Sequence, residues 1–362
     1  MIKKVAVLGA GNAGTTFSGH LAIKGFEVRL YEAPQFKQNL KAIIEKGGVE
    51  VTGVVEGFGR VEKATTDMKE AVSGADLILM AVPAFAHEFM MNEYLPHAEE
   101  GQIVVFLPGN YGDIRFYNLL KEKGMEDKVD VASTASMIYA CRRIEANKVK
   151  IMAIKYQMPV AVLPSRKTEK VVKALKELFE EFVPAKNVLE VSLNNLNCVL
   201  HTPTSILNAG RIENTKGNFD FYWEGMTESV CRVLEAVDNE RLCIGEKLGI
   251  NLVSTKRMLY DFYGLKGKDL HEIVTTSEVH GGSGSPGHLK HRYVVEDTLF
   301  GLVPISSLGK YLGCDTPNTD AVIRLASTLN NADYWKEGIT VEKLGFEKMN
   351  KKEIVEFLER GY

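Results

Sequence analysis

An N-terminal α/β domain on a doubly wound parallel sheet, followed by an all-α C-terminal domain, is the fold this chain predicts. Three observations predict it. The chain has 362 residues, and single hydrophobic cores rarely grow past about 250–300 residues. In the first half, short and nearly continuous apolar runs alternate with segments of helical spacing, the pattern of parallel strands covered on both faces. From about Val188 onward strand-like runs become rare and long helical patterns dominate. The boundary is expected between residues 187 and 188, giving domains of 1–187 and 188–362.

Taken in order, Val5–Leu8 reads as a buried strand and Thr15–Lys24 as a helix stopped by Gly25. Glu27–Tyr31, Ala75–Val82, Gln102–Leu107 and Val129–Ala132 read as further strands, with helix-like spacing at Phe85–Tyr94 and Ile114–Lys123 between them. The glycine-rich stretch Val49–Val61, with its alternating valines, is expected to be irregular or hairpin-like. Lys150–Lys155 and Pro159–Leu163 complete the strands. Lys167–Phe182 reads as an amphipathic helix with Leu175, Leu178, Phe179 and Phe182 on one face. In the second half, Thr227–Leu248, Leu252–Phe262, Ser306–Leu312, Thr319–Leu329 and Lys351–Glu359 read as helices. Val279–His291, rich in Gly, Ser and His, reads as a long loop, and long loops are often functional.

Composition excludes several function classes. A net charge of -3 without a block of like charges gives no reason to expect nucleic acid or an anionic membrane as partner. No apolar run approaches the roughly 18–20 residues of a membrane span. The N-terminus shows no cleavable signal pattern, so a cytoplasmic protein is expected. The five cysteines, Cys141, Cys198, Cys231, Cys243 and Cys314, are widely spaced and include no CxxC. That argues against a disulfide framework and against a metal site, and for separate thiols in a reducing compartment.

Gly9-Ala10-Gly11-Asn12-Ala13-Gly14 matches GxGxxG in a telling context. The motif follows an apolar strand, opens a helix, and is answered by an acid, Glu32, at the end of the next strand. Gly9 would allow the tight turn, Gly11 the approach of a diphosphate, and Gly14 close helix–strand packing. The helix N-terminus offers free N–H groups and partial positive charge to that diphosphate. Glu32 would accept hydrogen bonds from ribose hydroxyls and repel a 2′-phosphate. A Rossmann domain binding NAD, with NADP less favoured, is therefore expected. Val82-Pro83-Ala84 and Leu107-Pro108-Gly109-Asn110 end strands where a doubly wound sheet places its ligand crevice. His87, one turn further on, would either reach the nicotinamide side or lie on the surface.

Three second-half segments concentrate polar chemistry. Asn194, Asn197, His201 and Asn208 recur at spacings of one helix face, amid Leu196, Leu200, Ile206 and Leu207. Tyr222-Trp223-Glu224-Gly225 leads into a helix for which Thr227 is a sensible N-cap. Asp238, Glu240 and Arg241 on that helix read as plain surface charge. His291-Arg292-Tyr293 and Glu296-Asp297 follow the glycine-rich loop.

Together with the glycine fingerprint, these stretches resemble the octopine/nopaline (opine) dehydrogenase family. The matching segments are Ile138-Tyr139-Ala140-Cys141-Arg142, His201-Thr202-Pro203, Asn208-Ala209-Gly210-Arg211, Tyr222-Trp223-Glu224-Gly225, Asp238-Asn239-Glu240-Arg241, His291-Arg292-Tyr293 and Glu296-Asp297. The resemblance implies a Rossmann domain, a helical domain and a cleft between them. It implies an NAD(P)H-dependent condensation of an amino acid's amine with a 2-oxo acid, pyruvate by family habit. It also implies a His–Asp pair, for which His201 and Asp297 are the matching positions. Histidine suits proton shuttling at a carbonyl oxygen, and the aspartate would fix its tautomer.

Both substrates are carboxylates, and Arg292 is the best cation, for the substrate acid or for the cofactor diphosphate. Arg142 and Arg143 are weaker candidates. Asn208 and Tyr222 are expected near substrate, with Trp223, Tyr260 and Tyr263 as further pocket aromatics. The Val279–His291 loop would be a lid, and a homodimer is the expected assembly. The competing reading is a 2-oxo-acid or sugar-phosphate reductase, resembling ketopantoate reductases or glycerol-3-phosphate dehydrogenases, with a lysine as proton donor. A non-catalytic NAD-sensing protein would keep the glycine turn without the His–Asp pair.

Overall fold

The computed structural model describes residues 1–362 and forms two compact units. One comprises Met1–Ser192 with Phe357–Tyr362, the other Leu193–Glu356. The division falls slightly beyond the change of sequence texture, and the chain's end returns to the first unit. The reason is apolar burial: Phe357 packs edge-on against Tyr117 at 6.0 Å, and Lys121 Nζ donates to the Gly361 carbonyl at 3.2 Å.

The first unit holds twelve strands: β1 (Lys4–Leu8), β2 (Glu27–Tyr31), β3 (Gly48–Gly53), β4 (Gly57–Arg60), β5 (Lys63–Thr65), β6 (Leu77–Met80), β7 (Ile103–Phe106), β8 (Asp130–Thr134), β9 (Tyr139–Glu145), β10 (Lys148–Ile154), β11 (Met158–Leu163) and β12 (Phe182–Pro184). Eight form one sheet in the order β12-β11-β8-β7-β6-β1-β2-β5, parallel except where β11 runs against β8. Val5, Val7, Leu8, Leu77, Ile78, Val104 and Val105 are buried in it, each contributing about 1.5–3 kcal/mol by leaving water. The chain passes from β1 to β2 on one side and returns to β6 on the other. That reversal opens a crevice at the carboxyl ends of β1 and β6, where this class of sheet binds ligands.

Val49–Val61 is the hairpin of β3 and β4, with Gly48 opposite Arg60. It belongs to a second sheet, β4-β3-β10-β9, which the sequence did not announce. The amphipathic stretch Lys167–Phe182 is helical only over Thr168–Leu175; Phe182 opens β12. Leu175, Leu178, Phe179 and Phe182 are all buried, so the pattern records the core correctly while the chain turns.

The second unit is helical. Its principal helices span Asn197–Leu207, Glu228–Leu248, Thr255–Tyr263, Arg292–Asp297, Val303–Leu312 and Pro317–Asn330. Thr227 caps the long helix, its Oγ1 accepting from Val230 N at 3.4 Å. Arg241 and Glu240 correct the expectation of surface charge. Arg241 is wholly buried and donates to Asp238 Oδ1, the Leu193 carbonyl, Asn194 Oδ1 and the Val253 carbonyl at 2.6–3.1 Å. Glu240 accepts from the backbone N–H groups of Asn318 and Thr319, at 2.8 and 2.9 Å, and so caps the helix Pro317–Asn330. Buried charge is tolerated because every donor has an acceptor.

The reading of five separate thiols is also corrected. Cys243 and Cys314 form a disulfide, their Cα atoms 6.2 Å apart; Cys141, Cys198 and Cys231 are free. The pair is 71 residues apart in sequence, and packing of the helix Val303–Leu312 on Glu228–Leu248 brings it together. No helix is long and apolar enough to cross a membrane.

Candidate active site

In the first unit the glycine turn closes as expected. Gly9 adopts φ +103°, reached cheaply only by glycine, and its N–H donates to the Tyr31 carbonyl at 2.8 Å. A Cβ on Gly14 would sit 1.7 Å from the Gly9 carbonyl oxygen, so that residue must be glycine. A Cβ on Gly11 would meet nothing within 4 Å. That open side lies at the start of helix α1 (Asn12–Ile23), whose end carries no side-chain cap. Uncapped N–H groups of Asn12 and Ala13 beside open space fit a diphosphate.

Glu32 directly follows β2 beside this turn. Its buried carboxylate accepts from Ala10 N at 3.2 Å, Ala33 N at 2.9 Å and Asn39 Nδ2 at 2.9 Å. Val82 covers Gly9, with Cγ1 2.5 Å from a Cβ placed there, and Pro83 follows it into the open. Gly9, Gly11, Asn12, Ala13, Gly14, Glu32, Val82 and Pro83 therefore gather at the carboxyl ends of β1, β2 and β6.

Asn12 does more than open the helix. Its Nδ2 donates to the Cys141 carbonyl at 3.0 Å, and its Oδ1 accepts from Arg143 N. The Arg143 guanidinium in turn donates to the Ala10 carbonyl at 2.8 Å. The weak carboxylate candidate of the sequence thus lies on the glycine turn, carried there by β9. Spacing held no signal for it.

His87 is neither exposed nor a surface residue. It is buried edge-on against Phe106 at 5.0 Å, and burial pushes its pKa down to about 3. Two further buried groups were not legible in the sequence. Asp113 accepts from the Ser133 hydroxyl and from Ile114 N, and burial pushes its pKa up to about 6. Lys155 donates to Ser136 Oγ at 2.7 Å, and burial pushes its pKa down to about 7.

In the second unit, His201 Nδ1 lies 2.7 Å from Asp297 Oδ2, although 96 positions separate them. The other ring nitrogen, Nε2, lies 3.0 Å from the Tyr222 hydroxyl. Tyr293 stacks on the imidazole at 3.8 Å and 17°. All of this is buried except the margin of Tyr293. Two local features shape the elements. Pro203 sits inside the helix Asn197–Leu207 and removes one backbone donor from it. A single π turn, Thr298–Leu302, follows Asp297 directly, and such turns are frequent at functional sites.

The expected asparagine stripe breaks up. Asn194 precedes the helix and serves Arg241. Asn208 follows it, and its Nδ2 donates to the Thr204 and Gly225 carbonyls, both at 2.9 Å. It fastens the Tyr222–Thr227 turn, which is a different task from the substrate contact expected of it. Asn208 is the C-cap of the helix, its N–H still donating to the Thr204 carbonyl at 3.1 Å.

The glycine-rich segment expected as a lid is strapped to that turn. Asp220 Oδ2 accepts from Gly282 N at 2.7 Å, Phe221 N donates to the Ser283 carbonyl at 2.9 Å, and Ser285 N donates to the Phe219 carbonyl at 3.0 Å. His280 from this segment lies against the Tyr222 ring at 4.6 Å and meets Tyr263 edge-on at 5.6 Å. Trp223 Nε1 donates to the Ser277 carbonyl at 3.2 Å. Tyr260 is exposed. Arg292 opens the helix that ends in Asp297; its side chain is 52% exposed, with Nε 3.8 Å from Glu296 Oε2. His291 caps that helix, and burial beside Arg292 pushes its pKa down to about 4. No group of three or more His, Cys, Asp or Glu residues is placed to hold a metal ion.

Residues 184–330 match the family model described as NAD/NADP octopine/nopaline dehydrogenase, alpha-helical domain. Residues 4–109 match that of the NAD-dependent glycerol-3-phosphate dehydrogenase N-terminus. The chain is 28% identical to protein ocs of Agrobacterium tumefaciens (strain Ach5), over 98% of this chain and 99% of that one. A structure of octopine dehydrogenase with NADH and L-arginine superposes with a TM-score of 0.78 at 22% identity, covering 99% and 98% of the two chains. Opine dehydrogenase of Arthrobacter sp. (strain 1C) is 35% identical over 95% of each chain. A relationship of that extent, through both the glycine turn and the His201 helix, makes this chain a member of the opine dehydrogenase family, NAD(P)-dependent oxidoreductases acting on CH–NH groups.

Proposed function

We propose that His201 is the general acid–base of a reductive condensation between an L-amino acid and a small 2-oxo acid, pyruvate foremost, with Asp297 fixing the imidazole. The observation that carries this is the buried 2.7 Å contact between the two. An ammonium must lose a proton before its nitrogen can attack the ketone, and the resulting carbinolamine must gain one before water can leave. A buried imidazole serves both needs, taking up the first proton and giving back the second. Asp297 keeps the proton of neutral His201 on Nδ1 and stabilises the imidazolium formed in between. Reduced NAD would supply the hydride that converts the iminium ion to the secondary amine.

Gly9, Gly11, Asn12, Ala13 and Gly14 would hold the diphosphate, and Val82 and Pro83 would border it. Glu32 would hold the ribose hydroxyls and favour NAD over NADP. Arg292, half exposed on the helix of Asp297, supplies charge for an anion, the substrate carboxylate or the cofactor diphosphate. Tyr222 would line the substrate side of His201. The enzyme would work in the cytoplasm, where nicotinamide cofactors are held, as a homodimer, the commonest closed assembly. Size-exclusion chromatography with light scattering checks the dimer; a monomeric mass contradicts it.

The reductase alternative has its support in the match to glycerol-3-phosphate dehydrogenases, which is confined to residues 4–109. That stretch is the nucleotide-binding part and specifies no substrate. NADH oxidation with pyruvate alone, against pyruvate plus a panel of amino acids, separates the two. The opine reading predicts oxidation that depends on the amine; equal rates without any amine would overturn it.

A further inference from the structure

His201 has no unoccupied nitrogen. Nδ1 is committed to Asp297 at 2.7 Å, a carboxylate that accepts the ring's proton. In the neutral ring Nε2 is then the acceptor, and the Tyr222 hydroxyl donates to it at 3.0 Å. One ring face and one edge are covered as well. Tyr293 stacks on the ring at 3.8 Å, and Phe221 meets it edge-on at 6.1 Å and 64°. Any proton entering or leaving Nε2 therefore meets the Tyr222 oxygen first.

Tyr222 is built to stay there. Its N–H donates to Asp220 Oδ1 at 3.0 Å, in the same turn where Trp223 N donates to that oxygen at 2.7 Å. Its carbonyl accepts from Met226 N at 3.3 Å. Its ring lies between Phe221, at 5.5 Å and 81°, and His280, at 4.6 Å and 30°. His280 is itself held by Ser277, through Nδ1 and Oγ at 2.8 Å. Displacing the phenol from His201 would mean undoing this packing at each turnover.

We propose that Tyr222 is a catalytic residue whose hydroxyl relays the proton between His201 Nε2 and the reacting nitrogen and oxygen of the substrates. The proposal rests on the acid–base reading of His201 and Asp297. The steps balance. The substrate ammonium gives a proton to the phenol oxygen while the phenol proton passes to Nε2, leaving a free amine and an imidazolium paired with Asp297. The amine adds to the ketone, and the new C–N bond yields a neutral carbinolamine once a proton moves from nitrogen to oxygen within it. The imidazolium then returns its proton to the phenol oxygen while the phenol proton moves to the carbinolamine hydroxyl. The C–O bond breaks, water leaves, an iminium ion remains for reduction, and His201 is neutral again.

A phenol suits this task because it can accept and donate one proton in concert. Burial, together with nearby Tyr293, Tyr263 and Asp297, pushes its pKa well above its ordinary value of 10. It therefore stays neutral throughout the working range and neither stores nor loses charge between steps.

The test compares Tyr222→Phe, His201→Asn and the unaltered enzyme in both reaction directions, with NADH affinity measured separately by fluorescence. The relay predicts that Tyr222→Phe loses about 10²-fold or more in kcat, keeps its NADH affinity, and loses most of the solvent isotope effect. Kcat within a few-fold of the unaltered enzyme, beside a crippled His201→Asn, would overturn the relay and leave the His201 reading standing. Full turnover by His201→Asn would overturn both. Should Tyr222→Phe fold poorly, a fluorinated tyrosine at 222 preserves shape while acidifying the phenol. The relay then predicts an altered kcat and solvent isotope effect with NADH affinity kept, and an unchanged kcat and isotope effect contradict it.

Discussion

The Arg143 guanidinium donates a 2.8 Å hydrogen bond to the Ala10 carbonyl, inside the glycine turn whose N–H at the same residue is held by Glu32. One residue is thus gripped through both of its backbone groups, by a strand of the second sheet and by the acid that follows β2. The second sheet is tied to the glycine turn for that reason: β9 sets the position of Asn12 and of a cation beside the open end of α1.

Replacing Arg143 by Ala should weaken NADH binding by about tenfold, the loss of one charge-assisted contact and of the order it imposes on the turn. Kcat at saturating NADH should change little. Fluorescence titration with NADH checks this, and an unchanged affinity would mean that the guanidinium only decorates the turn.

Asp297→Asn keeps shape but can no longer accept the Nδ1 proton in the same way. The imidazole loses both its tautomer and its counter-ion, so kcat should fall by about 10²–10⁴-fold. NADH affinity should survive, because the glycine turn and Glu32 lie in the other unit. Steady-state kinetics beside a binding titration decides; a fall confined to KM would argue for a substrate-binding role instead.

His87 makes stability depend on pH. Its folded pKa of about 3 lies below the ordinary value of 6.5, so below pH 6.5 the unfolded chain takes up the proton first. The stabilisation is complete above pH 6.5 and is lost progressively as pH falls toward 3, by roughly 2 kcal/mol at pH 5 for this group alone. Urea unfolding at pH 7.5 and pH 5.0 should show that loss, and His87→Leu should shrink it. A His87→Leu protein with the full acid sensitivity of the parent would assign the effect to other groups.

The Cys243–Cys314 disulfide closes a loop spanning 71 residues. Loop-closure entropy gives it about 4 kcal/mol in the chain-entropy account. Thiol titration after denaturation should find three free cysteines before reduction and five after. Reduction, or Cys243→Ser, should lower Tm by several degrees; an unchanged Tm would show that the cross-link adds nothing to the folded state.

Much of the first unit was legible because its strands are fully buried, so their apolar runs are continuous. Glu27–Tyr31 needed no correction, and the glycine turn bound its neighbours by known sterics. β9 escaped notice because Arg142, Arg143 and Glu145 leave it no apolar alternation, and as an edge strand it pairs only with β10. Arg241 and Glu240 looked like surface charge because only tertiary packing reveals which helix face is buried. The Asn208 amide bonds to Thr204 and Gly225 were not legible, because they depend on a turn brought close by tertiary packing. His201 and Asp297 were named through family resemblance; spacing alone could not have joined them. Tyr222 was expected near substrate, but its bond to His201 depends on a turn whose geometry no pattern discloses.

The central claim is that the imidazole of His201 serves a reaction requiring both an amine and a 2-oxo acid. The most direct measurement is NADH oxidation by the unaltered enzyme and by His201→Ala, with pyruvate alone and with pyruvate plus each amino acid of a panel. The account predicts oxidation only when an amino acid is present, and its loss by at least about 10²-fold in His201→Ala while NADH still binds. Oxidation with pyruvate alone at the full rate, or an undiminished His201→Ala, would contradict it.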